Sequence, residues 1–302
     1  MESTKKYNYC RGTTTLTPQT LPFQNLGRIR RIQSQYGPCI TLDNINGFYS
    51  GNSSFGHPNG NGSLFREDGS IKYKGSWKDS KYHGEGITFY ENGNKRYEGN
   101  FVNGKRMGEG TTYYKKREIP LYIGNYKKDK NEGFGSTYYE NGKLFYQGQW
   151  KNGKQDGKGL FHDEFGRLMY DCEFVKGKME GNGVLYYDNG CKEYEGQWVA
   201  GNYEGYGTSF FKDGSVQYTG NWKNLKKNGE GILYNQEQQI VFKGVWENDQ
   251  LQKIDFQQKN LDDLQNPKTE TTFHNTIIIR ECLDENSQKI LKGYIFDKET
   301  GN

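Results

Sequence analysis

The chain has 302 residues and carries 41 Lys and Arg against 37 Asp and Glu, and the resulting net charge of +4 gives no electrostatic case for nucleic acid. Hydrophobic residues are only 32% of it, too few for a conventional aliphatic core, but aromatic residues reach 15%, with 24 Tyr and 17 Phe, which argues against a disordered chain. Ala200 is the sole alanine and 41 glycines recur in register, so the composition points to an all-β array that buries rings in place of aliphatic side chains.

Residues 1–24 are rich in Thr, Lys and Gln without a period and read as an extended arm. Residues 25–48 hold Gly27, Asn46-Gly47 and the basic cluster Arg28, Arg30 and Arg31. They read as a decayed repeat capping the first edge of the array, with a phosphate or acidic-partner contact as the alternative. No N-terminal apolar run has the form of a signal peptide, and no segment approaches the ~18 consecutive apolar residues of a membrane span. Cys10, Cys39, Cys172, Cys191 and Cys282 are odd in number and lack CxxC spacing, which fits reduced thiols better than a disulfide framework. The expectation is a soluble, cytoplasmic protein.

From Tyr49 one phrase returns at Tyr73, Tyr97, Tyr122, Tyr146, Tyr170, Tyr194, Tyr218 and Phe242, in steps of 24 residues with a single step of 25 from Tyr97 to Tyr122. A fixed period of this size marks a repeat array. It covers residues 49–251, as eight full repeats and a partial ninth. Counted from the opening aromatic, position 3 is Gly except at Cys172, position 5 is aromatic from Trp77 onward, and positions 12 and 14 are Gly in all eight full repeats. Positions 1, 3 and 5 share one face of a strand. Glycine between two rings leaves room for a neighbouring ring to cover it. Asn103-Gly104 and Asn152-Gly153 predict a tight turn after the first strand, and Asn92-Gly93 and Asn141-Gly142 predict another after the second. The second strand is placed from about position 13, with pairs such as Tyr113-Tyr114 and Tyr138-Tyr139. Each repeat is then one β-hairpin. At roughly 4.8 Å per strand the array advances about 10 Å per repeat, on the order of 80 Å in all. One hairpin is marginal in water, so stability has to come from its neighbours.

Tyr73-Lys-Gly-Ser-Trp77, Tyr97-Glu-Gly-Asn-Phe101 with Asn103-Gly-Lys105, Gly108-Glu-Gly110 and Tyr194-Glu-Gly-Gln-Trp198 resemble MORN repeats. The resemblance covers roughly two thirds of the chain. It implies an elongated, single-layer antiparallel sheet of stacked hairpins with a shallow aromatic groove. Repeats of this kind also occur in a bacterial antitoxin-like family. Three departures bear on local groove shape: a period about one residue longer than the commonest one, Cys172 in a glycine position, and a lengthened turn at Lys115–Pro120.

Residues 252–271 lose the period and read as a linker or short helix. In 272–302, Thr276–Arg280 and Ile290–Phe296 flank a turn at Asp284–Ser287 and predict a C-terminal hairpin. It either caps the last sheet edge, which is otherwise open to aggregation, or docks a partner.

Chemistry-bearing motifs are scarce. His57, His83 and His162 fall at different repeat positions, no His/Cys/Asp/Glu cluster has metal spacing, and no Gly-x-Ser-x-Gly is present. Gly-x-Gly pairs such as Gly108-Glu-Gly110 lack the helix and third glycine of a dinucleotide loop. The reading is a non-enzymatic scaffold with no cofactor, no metal and no nucleic acid. Trp150, Trp198 and Trp222 are candidates to face a groove that receives a peptide or helix. The basic clusters at Lys115-Lys116-Arg117 and at Lys127-Lys128 with Lys130 lie in adjacent repeats, are placed on one edge of the ribbon, and are candidates for acidic proteins or, alternatively, anionic phospholipids. Lys226-Lys227 is a third such cluster. The resemblance to ciliary and cytoskeletal scaffolds, radial spoke heads among them, implies a place in such an assembly, and a homodimer is compatible with it.

Overall fold

Every repeat folds on its turn. Asn103 and Gly104 have φ of 51° and 79°, Asn152 and Gly153 52° and 82°, and Lys176 and Gly177 53° and 85°. Two successive residues at positive φ make a type I′ turn, whose twist matches that of the flanking strands. The same turn forms where the second residue is not glycine, at Lys128-Asp129 (50°, 70°) and Asn224-Leu225 (49°, 68°). The other connection is a wider loop closed by Gly at positive φ: Gly69 N–H donates to Arg66 O at 2.9 Å and Arg66 N–H to Ser70 O at 2.8 Å.

The structure, a computed structural model, describes residues 33–34, 40–42, 45–254, 276–283 and 289–296. It divides into two compact units, the second beginning within residues 193–202. The first unit holds β1 (Ile40–Leu42), β2 (Ile45–Ser54), β3 (His57–Phe65), β4 (Ile71–Lys78), β5 (Lys81–Phe89), β6 (Lys95–Val102), β7 (Lys105–Tyr113), β8 (Pro120–Lys127), β9 (Lys130–Tyr138), β10 (Leu144–Lys151), β11 (Lys154–His162), β12 (Leu168–Val175) and β13 (Lys178–Tyr186). Each pairs antiparallel with the next in chain order. β14 (Lys192–Val199) contributes residues to both units. The second unit holds β15 (Asn202–Phe210), β16 (Val216–Lys223), β17 (Lys226–Tyr234), β18 (Ile240–Glu247) and β19 (Gln250–Ile254), again paired in order. The fold is all-β and antiparallel, a run of consecutive hairpins.

Two expectations change. The second strand of a repeat begins at position 9, not 13: β5 starts at Lys81 and β11 at Lys154. The glycine at position 12 misled the reading, because it lies inside the strand rather than in a turn. Gly84, Gly108 and Gly133 have φ of 61°, 68° and 67° and sit where the register shifts. This is a bulge with two extra residues in the second strand, since Gly75 is opposite Gly86 and Trp77 opposite Tyr82. The C-terminal hairpin forms as β20 (Thr276–Leu283) and β21 (Lys289–Phe296), but it is a two-stranded sheet of its own and adds no strand beyond β19. At the N-terminal end β1 pairs with β2, Ile40 opposite Tyr49, so a strand precedes the first repeat. The expected arm, most of the decayed repeat and the linker after Ile254 lie outside the described residues.

The core is a ladder of rings. Position 1 is buried in Tyr49, Tyr73, Tyr97, Tyr122, Tyr146, Tyr194 and Tyr218, none more than 3% exposed. The rings of Tyr73, Tyr97, Tyr122, Tyr146 and Tyr218 lie edge-on to position 5 of their own repeat, at 5.1 Å for Tyr73–Trp77 and Tyr97–Phe101, and to position 5 of the next, at 5.5 Å for Tyr73–Phe101 and 5.2 Å for Tyr97–Tyr126. Such pairs contribute roughly 0.5–1.5 kcal/mol each beyond the area they bury. Glycine makes the ladder fit. A Cβ on Gly86 would lie 2.5 Å from Cε2 and Cζ of Tyr73, and one on Gly110 2.6 Å from the same atoms of Tyr97. The hydroxyl explains Tyr over Phe at this position: Tyr73 donates to Ser76 O at 2.7 Å, Tyr122 to Asn125 O at 3.0 Å and Tyr146 to Gln149 O at 3.1 Å. These carbonyls belong to the residue opposite the bulge, so the buried hydroxyl closes it from the ring side.

Candidate interaction surfaces

The ring ladder leaves position 10 as the variable cover of the aromatic face. Tyr82 stacks on Tyr73 at 3.7 Å and Tyr203 on Tyr194 at 3.8 Å. In the same place Arg106 lies over Tyr97 at 5.5 Å and Lys227 over Tyr218 at 5.6 Å. Sequence reading missed this row because its residues, Pro, Tyr, Arg, Asn, Gln, Met and Lys, share no chemistry; only their constant distance from the turn marks them.

Trp150, Trp198 and Trp222 are 8%, 3% and 7% exposed. They are rungs of the ladder. Trp150 Nε1 donates to Gly135 O and Trp222 Nε1 to Gly207 O, both at 3.1 Å. The surface they leave open is therefore small, and the exposed large side chains stand elsewhere. Ile123 (41% exposed) and Phe134 (54%) point to the opposite, glycine-floored face. That face carries a shallow groove floored by Gly62, Gly75, Gly86 and Gly99, with Lys74, Glu85, Ile87 and Glu98 along it. Glu98 is held by Lys95 Nζ at 2.9 Å and by the Tyr113 hydroxyl at 3.1 Å, which keep its carboxyl below the usual range.

The lysine clusters do not share an edge. Lys115 and Lys116 lie in the connection before β8, and Lys127 and Lys128 in the turn after it. Successive connections of one strand fall at opposite ends, about 25 Å apart for eight residues. Lys115 is also engaged, with Nζ 3.2 Å from Glu91 Oε2 and its carbonyl accepting from Asn92 Nδ2 at 2.7 Å. The two edges differ in construction. On the turn edge, position 8 N–H donates to position 10 O of the preceding repeat, as Gly104 to Tyr82 O at 2.8 Å and Gly153 to Asn131 O at 2.9 Å. Carboxylates at position 11 add to this: Glu132 accepts from Asn152 N–H, Asp156 from Lys176 N–H and Glu180 from Ala200 N–H, at 2.9–3.1 Å. On the loop edge, Tyr90, Tyr114 and Tyr139 donate to Tyr113 O, Tyr138 O and His162 O of the following repeat.

Among the described residues no group of three or more His, Cys, Asp or Glu is placed to hold a metal ion. Cys172 and Cys191 are free thiols. No helix among the described residues is long and apolar enough to cross a membrane.

A chain of consecutive hairpins, stapled by rings on one face and open along the other, is a repeat protein that offers surface rather than a closed site. The MORN repeat model matches it eight times, at residues 49–71, 73–95, 97–117, 122–143, 146–164, 170–192, 194–216 and 218–235. The matches span more than half of the chain, which belongs to the MORN repeat family. MORN repeats are common in scaffold and membrane-binding proteins and are generally structural or binding elements. No curated protein matches the chain.

Proposed function

We propose that this protein is a non-enzymatic scaffold that binds protein partners along its sheet within a large assembly, in the ciliary axoneme or cytoskeleton, radial spokes included. The observation that carries the reading is the division of each repeat. Positions 1, 3, 5 and 14 are given over to a ladder that is constant apart from Ser53, Cys172 and the part-buried Tyr170, while exposed positions differ from repeat to repeat, as Ile123 and Phe134 do on the glycine-floored face. A surface that varies on a constant frame suits several specific contacts. Proximity labelling from the C-terminus in the native cell, followed by detergent extraction, tests it. Detergent-resistant axonemal or cytoskeletal neighbours support it; labels confined to soluble proteins of no common assembly overturn it.

A second reading, an adaptor on anionic phospholipids, has one observation in its favour. Phe55 stands 87% exposed at the tip of the β2–β3 turn, on the edge that also carries Lys127 and Lys128. An aromatic tip and cations along one edge, three hairpins or about 30 Å apart, suit a membrane interface that runs along it. It predicts liposome binding that weakens with salt and is lost when Phe55 and Lys127 and Lys128 are replaced, with Lys115 and Lys116 dispensable.

A further inference from the structure

From β4–β5 to β12–β13 the turn edge carries a cation pair or a single cation in each hairpin, and their direction is set by register. Lys127 is opposite Lys130 and Lys151 opposite Lys154. Their neighbours Tyr126 and Trp150 face the ring ladder, so by strand alternation these lysines point to the glycine-floored face. Lys105 and Lys178 occupy the same position 9 in the hairpins on either side, opposite Val102 and Val175. All six lysines are exposed, and among the described residues none is in an ion pair. The adjacent carboxylates are Glu132, Asp156 and Glu180, two residues further along the same face, and each is turned onto a backbone N–H of the next turn. The result is a row of cations facing sideways over a sheet face, at about 10 Å per hairpin.

We infer that this row, Lys105, Lys127, Lys130, Lys151, Lys154 and Lys178, is a docking strip for an extended acidic polypeptide lying across the strands on the glycine-floored face. Charge complementarity names the chemistry, and geometry favours a chain over a lipid surface. A membrane meets the tips of the turns, where Asp79 and Asp129 stand with Lys128 and Lys176; the row lies behind the tips and faces along the sheet normal. A chain in the polyproline II conformation advances about 3.1 Å per residue with three residues per turn, so every third side chain lies on one side and the ~10 Å pitch matches an acidic residue at every third position. The inference rests on the scaffold reading and adds the chemistry of one partner.

The test uses the full chain and a fluorescently labelled oligoglutamate, read by anisotropy, with phosphatidylserine vesicles in a parallel sedimentation assay. Oligoglutamate is expected to bind, to weaken with added salt as exposed charges are screened over about 8 Å at physiological ionic strength, and to lose at least about tenfold in affinity with Lys105, Lys130, Lys154 and Lys178 changed to Glu. A control reversal of Lys115 and Lys116 on the loop edge is expected to leave binding within about twofold. Circular dichroism verifies that both variants fold; Lys→Gln at the same four positions replaces the reversal if it does not. No binding of oligoglutamate, equal loss in both variants, or binding of vesicles alone overturns the inference. A negative result here leaves the assembly test above untouched, since that test needs no acidic partner.

Discussion

The contact between position 14 glycine and position 1 tyrosine is the most exacting feature of the fold, and Gly110→Ala measures it. Gly110 has no positive φ, so the backbone tolerates alanine. The new methyl group meets Cε2 and Cζ of Tyr97 at 2.6 Å. Tyr97 cannot move aside freely: it is 2% exposed, lies edge-on to Phe101 at 5.1 Å and Tyr126 at 5.2 Å, sits under Arg106 at 5.5 Å, and donates to Asn100 O at 3.1 Å. Overpacking costs about 1–3 kcal/mol, each lost ring pair about 0.5–1.5 and the hydrogen bond about 1, so the expected loss is about 3–4 kcal/mol. Gly104→Ala is the control. Gly104 has φ of 79° and nothing within 4 Å of a Cβ, so alanine there pays only the left-handed backbone term of about 1–2 kcal/mol. Urea unfolding followed by tyrosine and tryptophan fluorescence compares the two, with amide hydrogen exchange across residues 97–126 as a local readout, because repeat arrays need not unfold in one step. Adding Tyr97→Ala to Gly110→Ala is expected to shrink the glycine penalty by removing the ring it strikes. Equal costs for the two alanine variants, or a Gly110→Ala cost below about 1 kcal/mol, would refute the reasoning.

Three further outcomes are expected. Burial, ahead of any neighbouring charge, pushes the Cys172 thiol up to about 12 while Cys191 is part-exposed, so iodoacetamide at mildly alkaline pH modifies Cys191 first and Cys172 only on unfolding, as peptide mass spectrometry reads out. Burial raises Tyr49 and Tyr218 to about 12 from an ordinary value of 10.0; the native state then holds protons that the unfolded chain releases, so stability is complete below pH 10 and falls as the pH climbs through 12, visible as phenolate absorbance rising together with loss of circular dichroism. Leu225 is held at φ 68° in its turn and is 48% exposed, so Leu225→Gly is expected to raise stability by about 0.5–1 kcal/mol in urea unfolding, and a loss of stability would show that the leucine makes contacts outweighing its backbone strain.

Much of the fold was legible because the ladder is written in a few residue types at a fixed spacing. Tyr at position 1, Gly at 3 and 14 and a ring at 5 are each demanded by one steric fit, and a fit repeated in eight repeats shows as a period. The bulge was not legible, because Gly133 at φ 67° inside a strand and Gly153 at 82° in a turn are the same letter. The separation of Lys115 from Lys127 was missed because sequence distance does not reveal that the intervening strand β8 carries the chain to the opposite edge of the sheet. The burial of Trp150, Trp198 and Trp222 follows from their being position 5 residues like Phe101 and Tyr126, a chemical equivalence that the prominence of tryptophan as a binding residue obscured. The sideways lysine row needed the register of position 6 against position 9, which only the turn geometry fixes.

The exceptional repeat shows how the frame and the surface are coupled. Cys172 replaces glycine at position 3, and its sulfur reaches across the strand pair to Gly183, the place a position 1 ring fills elsewhere. Tyr170 is accordingly only part-buried, and its ring stands 6.1 Å from Trp198 where the corresponding pairs lie at 5.1–5.8 Å. One sulfur atom at a glycine position thus moves a ring toward solvent while Phe174 at position 5 stays buried at 4%. A frame built from nearest-neighbour fits confines such a change to one repeat, so local surface shape can vary without loss of the array. That containment is what a scaffold needs if its partners are to be distinguished hairpin by hairpin.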